Sequence, residues 1–351
     1  SSAASDVYKR QIITYGIVIA AFVIMQILIN AGEISSLFQG LMVPLCTYII
    51  LAISLNLVVG ILGELSLGHA GFMCVGAFTS SFFSKAMQDT ITNSTVRFLL
   101  ALLIGIITAA IFGIIIGIPV LRLNGDYLAI VTLAFGEIIK NLVNVLFIGK
   151  DSKGFHFSTK DAVSLNMEPD GKIILNGPQG ITGTPNDSTF FIGFILILVT
   201  LFIVLNLIHS RDGRAIMAIR DNRIAAESIG INITKYKLMT FTISAAMAGA
   251  AGVLYAHNLS NLTANTNNFG YNMSINILVF VVLGGIGNIR GSIIAAVVLT
   301  LLPELLRGMS DYRMLIYAIV LIVMMLFNWA PKAIEWREKH LSFKKNKKEA
   351  A

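Results

Sequence analysis

Charge is what this sequence has least of. Only 13% of its 351 residues are Asp, Glu, Lys or Arg. A soluble globular domain carries about 25%, so the chain has half the charge needed to clothe a water-facing surface. Cysteine is almost absent too. Cys46 and Cys74 both lie inside apolar runs, where they read as small buried residues rather than as a disulfide or a thiolate metal site. There is no G-x-x-x-x-G-K-[ST] phosphate loop, no H-E-x-x-H, no G-x-S-x-G and no Cys/His cluster. Those absences exclude the common enzyme signatures. Any ATP hydrolysis that drives this chain must therefore take place on another polypeptide.

What the sequence does have is apolar length. Hydrophobic residues make up 56% and the mean hydropathy is +0.79, which describes an all-α, polytopic membrane protein. A spanning helix needs about 20 mostly apolar residues. The candidates are Ile12–Ile29, Leu41–Val59, His69–Ser84, Phe98–Ile118, Tyr127–Phe147, Phe190–Ile208, Met239–Tyr255, Ser274–Ile286, Ser292–Leu306 and Met314–Trp329. The third, eighth and ninth are short and Gly-rich and read as half-helices or re-entrant segments, so the expectation is roughly eight to ten transmembrane helices.

Charge placement orients them. Lys+Arg 26 against Asp+Glu 19 gives +7, an excess that marks cytoplasmic loops in a membrane protein rather than a nucleic-acid surface. The polar stretch 209–237 carries Arg211, Arg214, Arg220, Arg223, Lys235 and Lys237, and the tail 331–351 is again basic. Both are expected in the cytoplasm, and counting spans back from them places both termini there. Residues 1–11 are polar, unlike the apolar run after them, and read as a non-native or disordered leader ahead of a transmembrane domain at 12–330. The segment 149–189 is long, turn-rich and near neutral, and is expected outside as a spacer or as a docking surface for an extracytoplasmic partner.

Four groups of residues stand out as functional candidates. Within 209–237, Asp221 is placed to cap a short helix Asn222–Ile229 that Gly230 stops. Ala225 and Ala226 would give that helix a small-residue side suited to a shallow groove on another protein. The stretch Gly63–Ala77 combines recurring small residues with Glu64 and His69, and Gly60/Gly63/Gly68 is echoed by Gly284/Gly287/Gly291. Gly-interrupted helices at corresponding positions are a transporter's pointer to its substrate site. Glu137 is the sharpest intramembrane charge, with Lys140 one turn on to neutralise it. Asn176–Asn186 is dense in turn formers.

These residues resemble a known family. The Ala225-Ala226-Glu227-x-x-Gly230 loop is similar to the EAA-type coupling loop of ABC importer permeases, although Glu227 follows the alanines instead of preceding them. Asn56–Phe78, Leu123–Lys140, Gly213–Leu238, Val281–Arg307 and the NGPQGI of Asn176–Ile181 resemble the branched-chain amino acid permeases, in the expected order. The match is nearest to their longer, M-type subunit.

The resemblance implies a multi-pass permease in the bacterial plasma (inner) membrane that takes up leucine, isoleucine and valine. It implies a second, homologous permease, two cytoplasmic ATPases that bind the ATP and Mg, and a periplasmic or lipid-anchored substrate-binding protein. This chain would hold no cofactor or metal of its own. Arg214, Arg220, Asp221, Ala225, Ala226, Glu227 and Gly230 would couple to the ATPase. Asn56, Gly68, His69, Glu137, Gly284, Gly285 and Gly287 would line the path, and Asn176, Gly177, Pro178 and Gly180 would meet the binding protein. Two rival readings stay open. One keeps the fold with urea, amides or other amino acids as cargo; the other is an ion-coupled secondary transporter built on Glu137.

Overall fold

The computed structural model describes residues 2–32, 35–123, 125–169, 171–306 and 312–329. The basic tail expected at 331–351 lies outside the described residues.

The long apolar runs become helices, three of them with a proline inside: Pro44, Pro119 and Pro303. They are α1 (Ser2–Asn30), α2 (Ser36–Asn56), α3 (His69–Ala86), α4 (Ser94–Val120), α5 (Asp126–Val145), α6 (Phe190–His209), α9 (Ile233–Ala256), α11 (Tyr271–Gly284), α12 (Ile289–Leu305) and α13 (Arg313–Trp329). Among the described residues, six segments are long and apolar enough to cross a membrane alone: 11–30, 38–62, 94–120, 126–145, 190–209 and 233–256. The chain is a mainly helical, multi-pass membrane protein. Residues 2–11 continue α1, because a helix nucleated by the apolar run propagates back through a segment free of Gly and Pro.

Short helices fill the remaining turns. The stretch 211–228 forms α7 (Arg211–Asp221) and α8 (Arg223–Ser228), and Thr266–Phe269 forms α10. At the opposite end of the bundle from α7 and α8 lies a small β-structure that the composition of 149–189 concealed. Strands β1 (Phe147–Asp151), β2 (Gly154–Ser158) and β3 (Lys172–Asn176) make an antiparallel sheet in the order β2-β1-β3, and β4 (Ile181–Thr182) pairs with β5 (Asn261–Leu262). Runs of five residues such as GFHFS and KIILN are too brief to stand out from polar surroundings. In this sheet, burial alone would raise the Asp151 carboxyl. The amides of Lys153 and Glu168, together with His156, outweigh it and hold the carboxyl below its usual range.

The core centres on α9, which packs against α2, α3 and α4. Without a hydrophobic drive between helices in lipid, close packing needs small residues at the contact. A Cβ on Gly76 of α3 would sit 2.6 Å from Gly249 Cα of α9, and one on Gly249 would meet Gly105 O of α4 at 2.8 Å. Three backbones therefore touch at one level.

Candidate functional site

Ser210 begins the polar hairpin by accepting from Gly213 N at 3.0 Å. Asn222 then joins α7 to α8, its side chain accepting from Ala225 N at 3.0 Å. The capping role expected of Asp221 thus belongs to its neighbour. Asp221 ends α7 and instead accepts from Arg220 Nε and Nη2 at 3.0 and 2.9 Å. One residue decides this: Asn222 has the extended backbone that a cap requires (φ −156°, ψ 102°). Gly230 stops the helix as expected, with φ +88° and Ile231 N reaching back to Ala226 O at 3.1 Å.

The outward side of α8 also differs from expectation. Ala226 is buried against Ile219 and Ile233, while Ile224 and Ile229 stand 81% and 75% exposed beside exposed Arg223, Ala225 and Glu227. The free apolar surface is therefore made by isoleucines. Periodicity could have found the first of them, because a residue packed inward at 226 turns 224, two positions away, outward on a helix; Ile229 lies past the end of α8. Arg214 lies on the same hairpin, its Nη1 3.4 Å from His209 O.

Ile216 of α7 packs into the main core, and one charged side chain of the hairpin also reaches the bundle. Arg220 Nη1 donates to Gly60 O at 3.0 Å. Gly60 belongs to the π-helical turn Leu57–Leu62 that ends α2, and Gly63 closes that turn at φ +79°. Residues 63–68 are then irregular until α3 begins at His69, so the expected helix break is present. Its terminal carbonyls have no intrahelical partners, and a guanidinium suits that negative end. Beside it, the buried Lys237 ammonium pairs with Glu64.

The two glycine sets noticed as an echo meet in space. A Cβ on Gly60 would lie 2.6 Å from Gly287 Cα, and Gly285 and Gly287 both have positive φ, +94° and +81°. Asn56 bolts the two turns together, accepting from Gly287 N at 2.9 Å and donating to Ser292 Oγ at 2.8 Å. Gly284 abuts the backbone of Gly291 and Ser292 in the same way. Gly68 fits against Thr132, whose carbonyl a Cβ would approach to 2.8 Å. The His69 ring is fully buried, with Nε2 at 2.8 Å from Ser244 Oγ. Ser244 spends its proton on Ser54 O, so His69 donates through Nε2, and its Nδ1 has no partner. Asn56, Gly68 and His69 thus sit between this chain's own helices.

Glu137 is different, since its side chain is 28% exposed. It pairs with Lys140 at 2.5 Å as the spacing implied and also accepts from Tyr271 N, the first residue of α11, at 2.8 Å. At the sheet end, Asn176 N donates to Gly180 O at 2.9 Å. Gly177 and Gly180 take positive φ, +48° and +68°, leaving Pro178 and Gln179 as an exposed tip. Among the described residues, no group of three or more His, Cys, Asp or Glu is placed to hold a metal ion.

Comparison with known proteins bears on the whole of this arrangement. The family described as "Branched-chain amino acid transport system / permease component" matches residues 37–327. The high-affinity branched-chain amino acid transport system permease protein LivM of Salmonella typhimurium is 35% identical over 296 residues, covering 82% of this chain and 67% of that protein. LivH of the same organism is 26% identical over 80% of this chain and 89% of its own length. The fructose import permease protein FruG of Bifidobacterium longum is 25% identical over 87% of this chain and 85% of its own. No solved structure matches. With one family profile running across every membrane helix from α2 to α13 and through the α7–α8 hairpin, the chain belongs to the branched-chain amino acid transport system permease components.

Proposed function

We propose that this chain is the membrane-spanning permease subunit of a bacterial plasma-membrane ABC importer for leucine, isoleucine and valine. What carries the reading is the 35% identity to LivM across 82% of the chain, set beside a sequence with no phosphate loop of its own. The energy would come from two ATPase subunits that bind ATP and Mg. These would dock on α8 through Ile224 and Ile229, ringed by Arg223 and Glu227. Arg220 would pass their movement to the α2 break, because it bridges α7 and Gly60. Similarity to both LivM and LivH supports a related second permease alongside this one. A substrate-binding protein would meet the opposite end of the bundle at the Asn176–Gly180 tip.

The test is reconstitution with the ATPases and binding protein encoded beside this chain. ATP-dependent leucine uptake that isoleucine and valine compete for is the expected result. The similarity to FruG keeps a second cargo class in view, so fructose, urea and acetamide belong in the competition series. Competition by one of these in place of leucine would reassign the cargo. Uptake driven by an ion gradient without ATP would overturn the importer reading.

A further inference from the structure

Polar groups on the outside of a membrane bundle need a reason, because lipid cannot hydrogen-bond to them. Most of this chain's outer surface obeys that rule. Along α4 the exposed positions are Leu99, Leu103, Ile107, Ile111, Ile115 and Ile118, an unbroken apolar stripe of the kind that faces acyl chains. One surface does not obey it. On α5, Glu137, Lys140, Asn141 and Asn144 recur at i, i+3, i+4 and i+7 and form a polar stripe on one helix face, with Lys140 buried, Glu137 and Asn144 partly exposed and Asn141 exposed.

Backbone descends along that stripe. After α9 ends at the sheet end, residues 257–270 run back into the bundle instead of crossing it as a helix. Asn144 Nδ2 donates to Ala264 O at 2.9 Å, Lys140 Nζ to Thr266 Oγ1 at 3.2 Å, and Glu137 accepts from Tyr271 N at 2.8 Å. Each contact is about one turn further down α5. Glu137 is eight residues from the end of α5, which places the start of α11 about 12 Å below that end. The 14 residues of α11 span only about 21 Å, so α11 starts inside the membrane thickness. Non-helical backbone at such depth is tolerated only where protein buries it or where it lines a water-filled cavity.

Here one side of it is buried, through Leu262, Ala264 and Phe269, and the other is not. Asn265, Asn267, Tyr271 and Asn276 are exposed on the descending segment and α11, and Asn141 is exposed on α5. Two carboxamides, Asn141 and Asn276, thus stand on the outer surface below the sheet end. The Glu137–Lys140 ion pair, its carboxylate 28% exposed, lies one turn from Asn141 on the same helix.

We infer that this wall, Glu137 and Asn141 of α5 with Asn267, Tyr271 and Asn276 opposite, lines the aqueous path of the cargo. The glycine-rich breaks around Asn56 and His69 are then the packed joint behind it. The inference rests on the transport reading. Carboxamides present both donors and acceptors to a zwitterion's ammonium and carboxylate. Ala134 and Ile130, next along the exposed face of α5, offer apolar surface to an aliphatic tail. The wall is open on its far side, so a second subunit must close it.

Cysteine accessibility in whole cells tests this. Cys46 and Cys74 are buried, which keeps the background low. N141C and N276C are treated with a membrane-impermeant cationic thiosulfonate, with I111C on the α4 stripe as the lipid-facing control. A134C, a conservative change on the same face of α5, covers the case in which an Asn variant fails to insert. The expected result is labelling at least tenfold faster than at I111C, with cargo uptake falling at least fivefold once labelling is complete. Labelling no faster than at I111C would show that this face meets lipid or another chain and would overturn the inference. Fast labelling that leaves uptake intact would overturn it as well. Should uptake not depend on this chain at all, the transport reading fails on a separate measurement, while the labelling rates still report whether the wall is wet.

Discussion

Replacing Arg220 with Ala removes the side-chain hydrogen bond that connects the α7–α8 hairpin to the α2 break. Nη1 donates to Gly60 O at 3.0 Å, and the same guanidinium holds Asp221. A hydrogen bond from a charged donor contributes about 1.5–3 kcal/mol when shielded. The Arg220 side chain is 37% exposed, so solvent screening cuts that to about 1 kcal/mol. At about 1.4 kcal/mol per tenfold, the link between docking surface and helix break should weaken about fivefold. The assay is cargo-stimulated ATPase activity of the reconstituted importer, measured alongside basal activity. R220A should lower stimulation about fivefold and leave basal hydrolysis unchanged. R220K keeps a point charge but loses the planar fork and should fall in between. G63A tests the same contact from the other side: a Cβ there would sit 2.5 Å from Arg220 Cγ, at a φ of +79° that favours glycine. If R220A and G63A both insert and both couple like the wild type, Arg220 does not carry the movement and the reasoning fails.

Three further outcomes rest on other contacts. Glu64 and Lys237 are 14% and 4% exposed, so E64Q, which strands the ammonium, should cost about 3 kcal/mol. The double change E64L/K237L should recover most of the thermal stability in detergent, and a double variant no better than E64Q would refute the pairing argument. N56L removes the acceptor for Gly287 N and the donor to Ser292 Oγ. Interhelical bonds in membranes average about 0.6 kcal/mol each, so a loss of about 1–2 kcal/mol is expected, read as a lowered midpoint of thermal aggregation. At the sheet end, the folded Asp151 carboxyl is held below its ordinary range. Its contribution is therefore complete above the unfolded pKa of about 3.9 and is lost as pH falls through the lower folded value. Amide exchange in β1–β3 should stay slow from pH 7 to 5 and quicken below about 4. D151N should exchange faster at pH 7 and lose that dependence; an unchanged profile would remove Asp151 from the account.

Several of these positions were readable in advance and others were not. The helix break after Gly63 and the stop at Gly230 follow from glycine's access to positive φ, a property of one residue. The pairing of Glu137 with Lys140 follows from helix geometry over three positions. By contrast, the shift of the cap from Asp221 to Asn222 turned on where α7 stopped, and α7 stops where Ile219 reaches a small core shared with Ala226 and Ile233. The same core turned Ala226 inward and Ile224 outward. The strands β1 to β3 were illegible because each runs only five residues and is held by partners up to 29 positions away.

The sequence by itself determined that this chain crosses a membrane many times, where its helices run, and which family it belongs to. Those properties depend on local composition and on short motifs read in order, since hydrocarbon imposes the same cost on a polar residue wherever it falls in the chain. Only the tertiary structure decided which polar residues are sealed inside and which remain exposed. Asn56 and Asn141 are the same amino acid, each in a run apolar enough to cross a membrane; one is bonded between Gly287 and Ser292, and the other stands on an open face. What separates them is the set of helices that happen to pack against each, and that depends on contacts between residues hundreds of positions apart.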